Sequence, residues 1–551
     1  MIEDNRQDAA VDTLSTEQWL SRAQGLVPRA LDVSREVKVF PLKWKVIISR
    51  LEQIPSQLSH LSTHPCFSKN ALCTEQLQAV SKTLNEAIVL AKVCVEEKYE
   101  GKLRMQSNLD ALIGKLDLNF RDCGLLIKTG VLAEVSFSSD AEIHGNVREL
   151  LARLQIGDLE AKHKALDRLV EIMEEDKKNM LAVMGRSNIA ALIRLLTATL
   201  PRIREKTVTV ICSLAESGIF ENWLVSENVI PPLIRLVDSS GSFCKEKATI
   251  ALQRLSVSVE TSRLIVGHGG VKPLIEICEG GDSISQAAAA CTLRNISVVP
   301  ELRQKLAEEG IVKTMISVLE CGIFPGSKEY AAECLQNLTL DSDSLKRSVV
   351  SEGGIRSLLR YLDGPLPQEP AVGALRNLVD SVCMDALISL GLLTRLVRVL
   401  ESGSLNAQRD AALAICRICI SDETKRLVGE SGCVPFLVRM LEAKANDARE
   451  VAARAIASLM TLSCNCKEVK KEGKSVPNLV ALLNPSPHNT ARKYAVSCLV
   501  MLSVSGNCKK VMISNGAIGY LKKLIEMDIP GAKKLLERLE AGKLKSLLSR
   551  K

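Results

Sequence analysis

The chain has 551 residues, of which 46% are apolar, 25% charged and only 3% aromatic, and its formal net charge is +8. With so few large aromatic anchors, Leu, Ala, Ile and Val must fill the core, which favours helices over a β-rich fold. The small positive charge is spread along the chain, so nucleic-acid binding by bulk electrostatics is not expected; the 18 cysteines sit mostly in apolar helical runs such as "AICRICI" and read as buried thiols of a reducing compartment, not as a disulfide framework.

The opening stretch "MIEDNRQDAAVDTLSTEQWL" is acidic and lacks the apolar run of a signal peptide. No segment offers the ~18 uninterrupted apolar residues of a membrane span, and neither Ile2 nor the ending "SLLSRK" fits a lipidation signal. The expected setting is cytoplasmic, with the nucleus also open. In "STEQWLSRAQ", Ser15 followed three residues later by Gln18 is a capping-box pattern and predicts a helix start. "CTEQLQAVSKTLNEAIVLAKVCVEEK" places Leu77, Val80, Leu84, Ile88, Ala91 and Val95 on one stripe of a long helix, and the pattern stays helical beyond Gly101. These lengths predict a bundle of about four helices over residues 1–140, with "THPCFSKN" joining the second to the third.

From Asn146 to Gly516 a different pattern takes over. The segments "IPPLIRLV", "VKPLIEIC", "IVKTMISVL", "IRSLLRYL", "LLTRLVRVL", "VPFLVRML" and "VPNLVALL" recur at a spacing of about 41 residues. All but the first follow a glycine-bearing turn ("GHGG", "AEEG", "SEGG", "SLG", "GESG", "KKEG"), where a left-handed residue is expected to end the preceding helix. Each is followed by a longer helix carrying a small-residue pair, as in "AAACTLRNIS", "AAECLQNLTL" and "VGALRNLVDS". Paired alanines (Ala331/Ala332, Ala411/Ala412, Ala452/Ala453) let neighbouring helices approach closely. "DGPLPQEPAV" crowds prolines into one turn, so the helix after it must start near Pro370. The first two units are degenerate, as terminal repeats tend to be.

The period near 41, the "AAxxALxNL" pattern and the glycine before "xxPLxxLL" resemble the armadillo repeat. The resemblance implies an all-α fold: a right-handed superhelical solenoid of about nine repeats over residues 145–530, preceded by the helical bundle. Residues 1–140 resemble the helical domain that precedes the U-box in plant U-box armadillo ubiquitin ligases. No "CPI…DPV…TY" signature lies between bundle and repeats, so the ligase activity is not carried over. A plant armadillo-repeat protein without a U-box is the expectation, and recruitment of substrates for a separate ubiquitin ligase is the alternative. The basic amphipathic stretch 531–551, with Leu535, Leu536 and Leu539 on one side, reads as a polar cap on the last repeat, against docking to an anionic membrane.

Catalysis finds little to use. The six histidines are scattered, and His268 falls in a repeat turn. Cys416 and Cys419 in "CRIC" have CxxC spacing but sit mid-helix without a second pair, and "GIFPGSKE" lacks phosphate-loop spacing. The sequons at Asn295 and Asn337 fall within core helices. No catalytic residue, metal ligand or cofactor is therefore assigned. The informative position is the polar one within the repeated motif, occupied successively by Arg254, Asn295, Asn337, Asn377, Arg417, Ser458 and Met501. In an armadillo solenoid it faces the concave groove, and Arg294 and Arg376 lie beside it. Asn amides donate and accept together, as an extended peptide requires, and arginines fork onto carboxylates; taken singly, each residue is as readily an inter-turn hydrogen bond. Arg254, Arg294, Asn295, Asn337, Arg376, Asn377 and Arg417 are thus the expected partner-binding residues, for an extended or helical protein segment of acidic or neutral character. On this reading Asn337→Ala with Asn377→Ala weakens binding and spares the melting temperature. Importin-α-like import receptors pair each groove Asn with a Trp one turn earlier; here Cys291, Glu333 and Gly373 stand there, so basic nuclear-localisation peptides are not expected.

Overall fold

Helix-forming Leu, Ala, Glu and Lys, punctuated by Gly, Pro and Ser at turns, give helices throughout: the computed structural model describes residues 14–129, 131–132, 139–156, 159–239, 241–486 and 488–548, and no strand occurs among them. The chain forms two compact units, Met1–Ala251 and Leu252–Lys551, which meet inside the helix Ser242–Leu255.

In the first unit four long helices, α1 (Thr16–Arg35), α2 (Pro41–Ser62), α3 (Ala71–Val95) and α4 (Lys102–Lys128), pack together. The capping box forms as the sequence predicts: Ser15 Oγ accepts from the Gln18 backbone N–H at 3.2 Å, and Gln18 Oε1 accepts from Ser15 N–H at 2.8 Å. Pro28 and Pro55 sit inside α1 and α2 without ending them. Residues 63–70 connect α2 to α3 through a 3₁₀ turn, Phe67–Lys69, that buries Phe67. The α3 stripe buries Leu77, Val80, Leu84, Ile88 and Ala91, but its predicted last member, Val95, is exposed and Cys94 is buried instead. At the last turn the neighbouring helices no longer cover the extrapolated stripe. The bundle interior also holds polar groups: Asn119 Nδ2 donates to Thr83 Oγ1 at 2.9 Å and Gln76 Nε2 to the Asn119 carbonyl at 3.3 Å, whereas the buried Ser34 and Ser81 hydroxyls have no hydrogen-bond partner among the described residues.

The second unit repeats one motif. Its longer helices, α5 (Ser283–Ser297), α6 (Pro325–Leu338), α7 (Glu369–Leu378), α8 (Leu405–Ile418), α9 (Asn446–Leu459) and α10 (Arg492–Leu502), each pack on the next to make a continuous row. A second layer of shorter helices, such as Val271–Gly280, Ile311–Cys321 and Gly354–Tyr361, lies against them. The alanine pairs Ala331/Ala332, Ala411/Ala412 and Ala452/Ala453 are fully buried, so the row packs nearly backbone to backbone. A buried Leu contributes ~1.5–3 kcal/mol, and such residues recur in every repeat. The repeat turns use left-handed glycine at Gly269, Gly310, Gly353, Gly391 and Gly432, with φ between 76° and 92°. Gly473 departs from the pattern: it is not among the positive-φ glycines, and the chain leaves the preceding helix through an extended Glu472 at φ −74°, ψ 105°. α7 starts at Glu369 with Pro370 in its first turn, where the missing N–H costs nothing. A last helix, α11 (Ala532–Leu548), packs on α10 through buried Ala532, Leu535 and Leu539; Leu536 is half-buried and residues 549–551 lie outside the described residues. The fold is an all-α solenoid.

Candidate functional site

Asn295 in α5, Asn337 in α6, Asn377 in α7 and Arg417 in α8 occupy one position of successive repeats, and each side chain reaches back to the repeat before it. Asn295 Nδ2 donates to Ser256 Oγ at 2.8 Å and Asn337 Nδ2 to Ser297 Oγ at 3.0 Å. Asn377 Nδ2 donates at 3.3 Å to both Thr339 Oγ1 and the Gln336 carbonyl. Arg417 Nη1 donates to the Arg376 carbonyl at 3.0 Å. The acceptor hydroxyls stand two residues after the preceding rung, so the sequons "NIS" and "NLT" are halves of this ladder: an Asn that reaches back and a hydroxyl that receives the next Asn. A further rung, invisible in the repeated motif, is Arg538 of α11, which donates to the Val500 carbonyl at 2.9 Å and to Ser503 Oγ at 3.2 Å. The signal for it was the recurring hydroxyl two residues past each rung.

These bonds change what the asparagines offer. Each commits an amide N–H to a bond within the chain, and Asn377, 4% exposed, donates twice and has its Oδ1 occupied by Arg376 Nε and Nη2 at 3.2 and 3.0 Å. Asn295 and Asn337 are half-buried, spend one amide N–H each on these bonds, and keep the second N–H and the carbonyl oxygen for another molecule. Asn337 and Asn377 thus have a structural role in the chain, beside the one in partner binding expected of them.

The arginines are committed too. Arg294 Nε lies 2.9 Å from Glu333 Oε2, with the guanidinium over the Tyr330 ring at 5.3 Å. Arg376 Nη1 meets Asp410 Oδ1 at 2.7 Å in a largely buried pair, and Arg417 reaches Asp380 at 3.3 Å. Arg254 alone of the seven expected residues is exposed with no hydrogen bond or ion pair among the described residues. The place that import receptors give to Trp is filled from within: Cys291 is buried, Glu333 faces Arg294, and a Cβ on Gly373 would lie 2.3 Å from Gln336 Nε2.

What remains exposed beside the ladder is apolar. Three residues after successive ladder positions stand Val257, Val298, Leu340, Ile420 and Val504, with exposures of 75, 53, 40, 75 and 77%. Asp380 and Thr461 interrupt the series. Single exposed aliphatics need no explanation, but a row of them in register does. The row was readable in "RLSV", "NISV", "NLTL", "RICI" and "MLSV", though the polar letter drew attention away from it.

Elsewhere the chemistry is quiet. Burial pushes the Cys416 thiol up to about 11 and the Cys419 thiol up to about 12, so neither is a ready thiolate. Among the described residues no cluster of His, Cys, Asp and Glu is arranged to hold a metal ion, and His268 is exposed in its turn.

Comparison with known proteins agrees with this architecture. The family described as armadillo/beta-catenin-like repeat matches residues 258–298 and 421–461, and a domain of unknown function (DUF7032) matches residues 21–131. The crystal structure of an engineered protein from a structural-genomics consortium is 25% identical, with a TM-score of 0.62 over 72% of this chain and 99% of that one. No curated protein matches. The chain thus carries armadillo repeats in an all-α solenoid, behind an N-terminal region similar to the DUF7032 domain.

Proposed function

We propose that this chain is a non-enzymatic scaffold that binds an extended or helical segment of another protein along the face of the α5–α10 row, read as the concave groove of the solenoid. The observation that supports it is the in-register series Val257, Val298, Leu340, Ile420 and Val504, which keeps aliphatic side chains in water in five of seven successive repeats beside the ladder. On this reading the partner segment supplies apolar side chains along the row, and a neutral or locally acidic stretch meets Arg254. Clusters of basic residues have no aromatic slots to enter. Residues 145–530 form the recognition array, residues 1–140 a separate helical bundle, and α11 closes the array through the Arg538 rung. Among the described residues no helix is long and apolar enough to cross a membrane, which suits a scaffold of the cytoplasm or nucleus.

The test is quantitative retention of native partners by the full chain and by Val298→Ser/Ile420→Ser. The double variant is expected to lose most of the retained protein while its melting temperature stays close to that of the parent, since exposed substitutions typically cost within ~0.5 kcal/mol. Undiminished retention would show that partners dock elsewhere.

A further inference from the structure

Between α6 and α7 the same face turns acidic. Glu329 stands two helical turns before Asn337 and Glu369 two turns before Asn377, so the two carboxylates occupy equivalent places in adjacent repeats, with Glu333 one turn along α6 from Glu329. The equivalent residue in α5 is Ala287 and in α8 is Arg409, so Glu329 and Glu369 form an adjacent pair bounded on both sides; the same place holds Glu246 before Arg254 and Glu450 in α9, each engaged by its own neighbour, Lys247 and the Thr490 hydroxyl. Glu329 has no hydrogen bond or ion pair among the described residues, and Glu369 is engaged only by the Ser404 hydroxyl. Glu333 and Arg294 approach to 2.9 Å, yet Glu333 Oε2 and Arg294 Nε are out of line for a hydrogen bond. Burial pushes the Glu333 carboxyl up; Arg294 pulls it down, and the like charge of Glu329 pushes it up again.

Tyr361 closes this notch. It ends the helix Gly354–Tyr361, is only 7% exposed, and its buried hydroxyl has no hydrogen-bond partner. Burial raises its pKa first, and the carboxylates of Glu329, Glu333 and Glu369 each raise it further. All the charges acting on that phenol are negative. A native buried hydroxyl without a partner is uncommon, and of the carboxylates that act on this one, Glu329 and Glu369 have no cation partner among the described residues.

We propose that Glu329, Glu333, Glu369 and the Tyr361 hydroxyl form a seat for one Lys or Arg side chain of the bound segment. An ammonium or guanidinium placed there donates to the carboxylates and to the phenol oxygen, and the phenol hydrogen turns to a carboxylate. The repulsion between Glu329 and Glu333 is relieved in the same step. At the next equivalent place Arg409, paired with Asp447 at 2.9 Å and Asp410 at 3.4 Å, offers no open carboxylate, so the seat takes one basic residue, not a run of them. The inference rests on the docking face proposed above and specifies one position of its partner.

The experiment is fluorescence anisotropy of the full chain with labelled heptapeptides Leu-Ser-Leu-X-Val-Ser-Leu, in which X is Arg, Lys, Gln or Glu. The wild-type chain is expected to bind the Arg or Lys peptide ~10-fold more tightly than the Gln peptide, the ratio that one desolvated ion pair commonly gives. Glu329→Gln/Glu369→Gln is expected to abolish that preference without altering the Gln-peptide affinity. Tyr361→Phe is expected to leave the melting temperature unchanged or raised, since it deletes an orphaned hydroxyl, yet to weaken the Arg peptide several-fold. No binding of the Arg peptide, equal Arg and Gln affinities in the wild type, or a preference that survives the Gln double variant overturns the seat. Val298→Ser/Leu340→Ser separates the two readings: it weakens all four peptides alike if the docking face is right. Affinities for all four peptides untouched by it, with the Arg preference intact, would remove the docking face and leave the seat.

Discussion

The bundle and the repeat row solve the same packing problem with different uses of polar residues. In the bundle, Gln76, Thr83, Asn119 and Asp122 are buried once, in one interior, with partners that belong to no repeating pattern. In the row, one polar position recurs and joins residues 39, 40 and 38 apart at Asn295–Ser256, Asn337–Ser297 and Asn377–Thr339. A row of modules that cannot stand alone gains from a bond across its junctions, and the recurring side chain supplies one at Asn295, Asn337, Asn377 and Arg417, though not at Ser458 or Met501. The difference teaches that a periodic polar residue in a solenoid can be a fastener first and a recognition element second.

The largest effect that sharpens this contrast is expected at the buried pair Arg376–Asp410. Arg376→Ala leaves the buried Asp410 with only the longer contact to Arg409 at 3.4 Å and is expected to destabilise the second unit by ~3 kcal/mol, whereas the paired replacement Arg376→Met/Asp410→Leu recovers most of that loss. Chemical denaturation monitored by circular dichroism reads both. Next comes Asn377→Ala, which leaves the Thr339 hydroxyl, the Gln336 carbonyl and Arg376 short of a partner and is expected to cost ~2 kcal/mol, with the half-buried Asn337→Ala costing ~1 kcal/mol. A melting temperature untouched by both substitutions would return the asparagines to a pure binding role.

The smallest expected effect lies in the bundle and depends on pH. Burial raises the Asp122 carboxyl above the ordinary carboxylate range, against the opposing pull of Arg121. Because the folded value exceeds the unfolded one, the charged carboxylate subtracts from stability at neutral pH. That loss is recovered as pH falls through the raised value towards the unfolded one. Asp122→Asn is therefore expected to stabilise the first unit slightly at pH 7 and to have no such benefit near pH 3; a destabilised variant at pH 7 would mean that the contact with Arg121 outweighs burial.

Features set by local chemistry were legible in advance. Ser15 capped its helix because Gln18 stands three residues on, Pro370 could sit only in a first turn, and the alanine pairs could pack only between close helices. Val95 was misplaced because a stripe extrapolated along a helix does not say where neighbouring helices stop covering it. Gly473 kept its glycine but not the left-handed turn. The sequence left Asn295, Asn337 and Asn377 open between groove contact and inter-turn bond, because whether an amide meets solvent or the next module depends on how closely consecutive long helices approach. The hydroxyls of Ser256, Ser297 and Thr339 carried that information, two residues past each rung, and only the stacked helices show them facing the following Asn.

The most direct measurement is amide hydrogen exchange of the full chain with and without a bound partner segment. The account predicts added protection at the turns that follow α5, α6 and α8, around Val298, Leu340 and Ile420, with the bundle helices α1–α4 unchanged. Protection confined to the bundle, or absent from those turns while the segment is bound, would contradict it.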